Sequence, residues 1–121
     1  MSVSESGGFG RVFVDDPVVA RIGACIAAFS GPLFRRDDGA LQSEGSTVLV
    51  MPNQGIVFDR TRYVSVVHIR TGATEAEIVE GSMVVFRLLT AARDVRVRAT
   101  LGLDTTLAVF EPGRGGTLDR G

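Results

Sequence analysis

The amino-acid sequence predicts an α+β fold in which two helices pack on one face of a largely antiparallel sheet of four to six strands. Two segments of helical spacing, each with its own start signal, alternate with short segments rich in β-branched residues. The predicted order is strand, helix, strands, helix, strands. The 121 residues suffice for a hydrophobic core. We therefore predict a single domain over 1–121, with flexible tails at about 1–8 and 112–121.

The first helix is predicted directly after a short strand at residues 9–14. Asp16 can accept hydrogen bonds from the free backbone N–H groups of a helix start, and Pro17 suits the first helical position. The Gly31-Pro32 pair is a typical helix end. Between these signals the apolar residues recur at helical spacing, which predicts one buried stripe. The stripe consists of Val18, Ile22, Cys25, Ile26 and Phe29.

The middle of the chain is predicted to be mostly strand. Residues 33–45 include the run Arg-Arg-Asp-Asp-Gly, which predicts a charged turn, and the segment is expected to be an exposed loop. Strands follow at residues 46–51 and 56–58, separated by a Pro-Asn-Gln-Gly turn. Residues 62–70 are rich in β-branched side chains and predict a longer strand.

The second helix has the clearest start signal in the sequence. Thr74 and Glu77 form a capping box, in which each side chain accepts a hydrogen bond from the backbone of the other residue. Length and cap predict a helix that ends at about Ala92. Apolar residues then alternate with Arg96, Arg98 and a threonine, which is typical of a strand with one buried face. A last strand is predicted over residues 105–110.

Composition limits the function classes. The chain has thirteen arginines and no lysine, which indicates a GC-rich genome, and its net charge of −1 disfavours nucleic acid or an anionic membrane as a partner. Near-neutral charge promotes association, and we expect a homo-oligomer. No export signal or apolar segment of about 20 residues is present. With Cys25 as the only cysteine, we expect a soluble protein in the cytoplasm or within an assembled particle.

Few residues suited to chemistry are available. His68 is the only histidine, and no nearby cysteine or second histidine has metal-ligand spacing. Cys25 lies on the apolar stripe, where a buried thiol is expected. Glu75, Glu77 and Glu80 complement the dipole of the second helix. We therefore predict no catalytic residue, no metal and no cofactor, and an interaction role is favoured over catalysis.

Four arginines are the candidate binding residues: Arg62, Arg70, Arg96 and Arg98. Arg62 and Arg70 lie at the two ends of one predicted strand, and Arg96 and Arg98 lie on another. Within each strand the two arginines are an even number of residues apart, so their side chains point to the same face. If those strands pair, several guanidinium groups line one solvated face of the sheet. Such a face can form ion pairs across a subunit interface, or bind a phosphate or carboxylate through bidentate hydrogen bonds.

Two segments resemble known families. The segment GRVFV at Gly10–Val14, followed by VVARI at 18–22, resembles the opening of the alkaline-shock-protein family. The element order over residues 47–110 is similar to that of tail-terminator and related ring-forming proteins of tailed phages. Both groups are non-enzymatic and act through assembly, and the resemblances imply the same for this chain.

The function predicted from the sequence is a non-enzymatic structural or interaction subunit of a homo-oligomeric assembly, such as a phage-tail-like ring or an envelope-associated stress protein. Its partners would be further copies of itself and other assembly proteins. The alternative is a small α+β enzyme or anion-binding module with a pocket between subunits. In that alternative the arginines bind an anionic substrate, and His68 or Glu80 acts as the acid–base partner.

Overall fold

The computed structural model describes residues 9–58, 60–70, 74–92, 94–102, 105–112 and 116–118. Within these ranges two α-helices, one short 3₁₀-helix at Glu44–Ser46 and ten strands are present. In chain order the α-helices and strands are β1 (Gly10–Val14), α1 (Val19–Ser30), β2 (Leu33–Arg35), β3 (Leu41–Ser43), β4 (Val48–Pro52), β5 (Val57–Phe58), β6 (Thr61–Arg62), β7 (Ser65–Ile69), α2 (Glu75–Ala92), β8 (Val97–Leu101), β9 (Thr105–Glu111) and β10 (Gly116–Leu118).

The predicted α+β class and element order are confirmed. Eight strands form the main sheet in the order β10-β9-β8-β1-β7-β4-β3-β2, and β5 pairs with β6 in a small second sheet. Every pairing between neighbouring strands is antiparallel. The main sheet is therefore larger than the four to six strands predicted. Both helices pack on one of its faces, with α1 over β2, β3 and β4 and α2 over β1, β7, β8 and β9.

Helix α1 begins two residues later than predicted, at Val19. Its N-cap is Val18 rather than Asp16, and Pro17 precedes the helix. The Oδ1 atom of Asp16 accepts a hydrogen bond from the backbone N–H of Val18, 2.9 Å away, and the carboxylate also accepts from the Nε and Nη2 atoms of Arg21. Asp16 thus stabilises the approach to the helix as well as its first turn. Gly31, with a φ of 76°, ends the helix as predicted and donates its N–H to the carbonyl of Ala27.

The prediction of an exposed loop over residues 33–45 is wrong. β2 and β3 form an antiparallel hairpin there, and the charged run lies at its turn. The Nη2 atom of Arg36 lies 3.2 Å from the Oδ2 atom of Asp38, and the N–H of Arg36 donates to the carbonyl of Ala40. These local contacts close the turn and so bring the two short strands together.

The long strand predicted at residues 62–70 is divided into β6 and β7. The side-chain amide of Asn53 donates hydrogen bonds to the carbonyls of Tyr63 and Ile56, at 2.7 and 2.9 Å. The backbone N–H of Asn53 donates to the carbonyl of Val64. The chain therefore leaves the main sheet after β4, forms the β5–β6 hairpin and re-enters the sheet at β7.

Helix α2 has the predicted bounds. The N–H of Thr74 donates to the Oε1 atom of Glu77, and the N–H of Glu77 donates to the Oγ1 atom of Thr74, both at 3.2 Å. The capping box is confirmed. The main core lies between the helices and the sheet, and its largest fully buried side chains are Ile22, Ile26, Ile69, Phe86 and Leu89.

The ends of the chain are described only in part. Residues 116–118 form β10, which pairs with β9 at one edge of the sheet. This strand falls within the tail predicted at 112–121. The predicted tail at 1–8 lies outside the described residues, as do 113–115 and 119–121. None of the helices in the described ranges has the length and apolar composition that a membrane crossing requires.

Candidate functional site

The candidate site lies on the open face, which we define as the face of the main sheet that points away from α1 and α2. Side chains alternate along β1 and β7, so Val12 and Val67 enter the main core while Arg11 and His68 project from the open face. Directly paired residues form a row across six strands of this face. In spatial order the row is Thr100, Arg11, His68, Leu49, Gln42 and Phe34.

The β5–β6 hairpin covers another part of the open face. Beneath it lies an aromatic cluster, which we define as Phe13, Phe58 and Tyr63. The ring centroids of Phe13 and Phe58 are 5.0 Å apart, and Tyr63 lies 6.1 and 6.4 Å from these two rings. Phe13 and Tyr63 are fully buried. The hairpin therefore forms a second, smaller core on the side of the sheet that lacks helices.

Two of the predicted binding residues, Arg96 and Arg98, lie against the aromatic cluster. The Nη2 atom of Arg96 donates to the Oδ2 atom of Asp15 at 2.7 Å, and its Cζ atom is 5.7 Å from the centroid of Tyr63. The hydrogen bond to Asp15 is the main cause of the raised pKa of Arg96. The Cζ atom of Arg98 is 4.6 Å from the centroid of Phe58. Both arginines thus make contacts within the chain that hold the hairpin cover in place.

Arg62 and Arg70 lie elsewhere. Arg62 is exposed on β6, paired with Val57 of β5. Arg70 is exposed directly after β7, and its Cζ atom lies 5.0 Å from the ring centroid of Phe9. Arg70 directly follows β7, and Arg98 lies on β8. These two strands do not pair, because β1 lies between them. The four predicted arginines therefore do not converge on one site.

A different group of residues converges at Phe9. The Cζ atom of Arg11 is 5.7 Å from the Phe9 centroid, and the His68 ring meets Phe9 edge-on, with a centroid separation of 6.2 Å. We name Phe9, Arg11, His68 and Arg70 the Phe9 cluster. Arg11 was not among the predicted binding residues, although its alternation with Val12 within a predicted strand indicates a position on the open face.

Electrostatics within the Phe9 cluster disfavour positive charge. Burial lowers the pKa of Arg11. The pKa of His68 is lowered mainly by burial and further by the charge of Arg11. Glu80, predicted as a possible acid–base residue, is exposed on α2, on the opposite side of the sheet from His68. The structure therefore does not bring His68 and Glu80 together as an acid–base pair.

His68 is expected to make the protein less stable in mild acid. The pKa of His68 lies below its ordinary value of about 6.5 in the folded state and returns to that value in the unfolded chain. As the pH falls below about 6.5, the unfolded chain binds the proton more readily, so the free energy of unfolding decreases. Urea unfolding at about pH 7.5 and about pH 5.5 would measure this loss. We expect a larger loss in the wild type than in His68→Gln, and equal losses would contradict the assignment.

The other polar groups of the described residues are scattered or exposed. Among the described residues, no three or more His, Cys, Asp or Glu side chains are grouped so as to hold a metal ion. Cys25 packs against the main core, but it is half-buried rather than buried as its place on the apolar stripe predicted. A concavity at the β2–β3 turn is lined by Arg36, Asp37 and Asp38. These three residues are exposed, and two of them already form an ion pair.

Comparison with known proteins returned no significant match to a family model, a curated protein or a solved structure. The resemblances to alkaline-shock proteins and to ring-forming phage tail proteins therefore remain predictions.

Proposed function

We propose that this chain is a non-enzymatic subunit that acts by self-association, with the β2 end of the open face as the contact with a second copy. The observation behind the proposal is Phe34, which is 58% exposed on the strand that ends the main sheet. Phe34 lies beside Gln42 in the row across the open face, and Leu49 follows. An exposed phenylalanine on an edge strand is removed from water when a second chain covers it.

The edge itself favours a second copy as the occupant. β2 pairs with β3 on one side, and its other side presents backbone N–H and C=O groups that can pair with another strand. Antiparallel pairing of β2 with β2 of a second copy has two-fold symmetry and places the two Phe34 side chains opposite each other. The net charge of −1 gives little repulsion between copies.

Native mass measured by light scattering tests the proposal. We expect the wild type to exceed the 12.8 kDa of a single chain and Phe34→Glu to be a monomer, because the variant would bury a charge at the contact. Val57→Glu is the matched control, since Val57 is 53% exposed but lies on the β5–β6 hairpin. A monomeric wild type, or equal masses for wild type and Phe34→Glu, would overturn the proposal.

Salt distinguishes this contact from one made by arginines. A contact formed by Phe34 and strand pairing should persist at high salt, whereas an interface of exposed ion pairs would weaken because salt screens charges. Dissociation at high salt would therefore indicate that the interface is formed by the arginines predicted from sequence rather than by Phe34. The two-fold β2 contact closes a dimer by itself, whereas a ring needs a head-to-tail contact. An envelope-associated subunit, in the cytoplasm or within a particle, is a specific form of the proposal, and a native mass above that of a dimer would indicate the additional contact that a ring requires.

A further inference from the structure

Two guanidinium groups approach the same aromatic ring at one end of the open face. The Cζ atoms of Arg11 and Arg70 lie 5.7 and 5.0 Å from the centroid of Phe9. Arg11 is held there by β1, and Arg70 by the end of β7, where its backbone N–H donates to the carbonyl of Thr47. His68 pairs directly with Arg11 and precedes Arg70 by two residues in the chain.

Neither of these guanidinium groups has an anionic partner within the described ranges. Arg21, Arg36 and Arg96 each lie within 2.7 to 3.2 Å of a carboxylate oxygen. The side chains of Arg11 and Arg70, in contrast, form no hydrogen bond or ion pair with another described residue. The Nε atom of Arg11 is also buried without a hydrogen-bond partner. A partly buried charge in this state is costly and is stabilised by any anion that reaches it.

The lowered pKa values of Arg11 and His68 have the same physical origin. Burial removes water from both groups, and the positive charge of Arg11 opposes protonation of His68. The cluster therefore has positive charge that nearby described groups do not neutralise. Arg70 is exposed, so an incoming ligand can reach its guanidinium from solvent.

We infer that the Phe9 cluster binds a small oxyanion, a phosphate or carboxylate group, between the guanidinium groups of Arg11 and Arg70. Guanidinium forks match the geometry of both groups through paired N–H donors. The Phe9 ring stabilises the two cations from one side and leaves their N–H edges for the ligand. The site differs from the Phe34 contact, because β4 and β3 separate His68 from β2 in the sheet.

The only histidine of the chain supplies a direct readout. We would follow the His68 ring signals by NMR while adding sulfate, a tetrahedral oxyanion that keeps its charge, or acetate, with ionic strength held constant by chloride. A bound anion offsets the charge of Arg11, so the pKa of His68 should rise saturably. A response to sulfate alone assigns the site to phosphate-like groups, and a response to acetate assigns it to carboxylates. Absence of a saturable response to either ion overturns the inference.

Variants separate this site from general charge effects. Arg70→Gln should weaken binding about ten-fold or more, the usual effect of losing a hydrogen bond to a charged group. Arg62→Gln is the matched control, since it removes an exposed arginine of the hairpin, and it should bind like the wild type. Equal weakening in both variants would overturn the inference. Arg11→Gln should also weaken binding. If Arg11→Gln does not fold, Arg70→Gln still decides the test.

A titration of Phe34→Glu keeps the two proposals distinguishable. This variant removes the proposed self-association contact but leaves the Phe9 cluster intact, so it should bind sulfate or acetate as the wild type does. Loss of binding in Phe34→Glu would show that the anion response belongs to the oligomer contact and would overturn a separate site.

Discussion

Replacement of Phe13 by alanine is expected to lower the free energy of unfolding by about 3–5 kcal/mol, the usual range for a buried phenylalanine. Phe13 is fully buried between the main sheet and the β5–β6 hairpin. Its ring packs on Phe58 and Tyr63, with centroids 5.0 and 6.1 Å away. Without this ring the hairpin would cover a cavity, because the neighbouring aromatic side chains cannot fill the space without leaving their own contacts.

Urea unfolding measures the effect, and Tyr63 provides a local probe. It is the only tyrosine, and the chain has no tryptophan, so intrinsic fluorescence reports on the aromatic cluster alone. Val64→Ala is the control: Val64 is 43% exposed beside the cluster, and its replacement should change stability by less than about 0.5 kcal/mol. A loss of under about 1 kcal/mol in Phe13→Ala would contradict the view that the hairpin covers a true core.

Local signals predicted the parts of the fold that depend on local chemistry. The capping box of Thr74 and Glu77 located the start of α2, and Gly31 located the end of α1. Alternation along β8 placed Val97 and Ala99 in the core correctly, but Thr100, predicted on the solvated face, is fully buried. Each of these signals acts over four residues or fewer, so the sequence contains all the information that they require.

Pairing across the sheet could not be predicted in the same way. β1 lies between β7 and β8, although these strands are far apart in the chain. The division of residues 62–70 depends on Asn53, whose amide reaches the carbonyl of Tyr63 ten residues later. The short strands β2 and β3 carry weak periodicity because each has three residues. These features are decided by tertiary contacts rather than by local preference.

For the candidate arginines too, local signals predicted the face of the strand but not the tertiary partners. Parity placed Arg96 and Arg98 on the same side of their strand, but the partner of Arg96 is Asp15, 81 residues earlier in the chain. The Phe9 cluster joins residues from the start of β1 and from the end of β7. Its existence follows from the antiparallel register of Arg11 and His68, which no sequence spacing displays. The predicted pairing of the two arginine-bearing strands is absent, because β1 lies between β7 and β8.

Replacement of Gly10 by alanine is expected to destabilise the fold by about 1–3 kcal/mol, as overpacking of a core does. Gly10 lies at the start of β1, where the central strand passes directly beneath α2. A Cβ atom at this position would overlap the Oγ atom of Ser82 and lie 3.0 Å from the Cγ2 atom of Ile78. Ser82 is fully buried, and its hydroxyl donates to the carbonyl of Ile78 at 2.8 Å. Rotation of the hydroxyl to make room would break this hydrogen bond.

A double-mutant cycle isolates that contact. Ser82→Ala removes the overlapping oxygen and leaves the Cβ atom of residue 82 at 3.4 Å from the added methyl group, an acceptable contact. We expect the Gly10→Ala, Ser82→Ala double variant to recover about 1 kcal/mol relative to the sum of the single variants, as measured by urea unfolding. Strictly additive effects would contradict a direct contact between β1 and α2 at this position. Recovery would show that the glycine is required by the close approach of helix and strand, since its φ is not in the left-handed region.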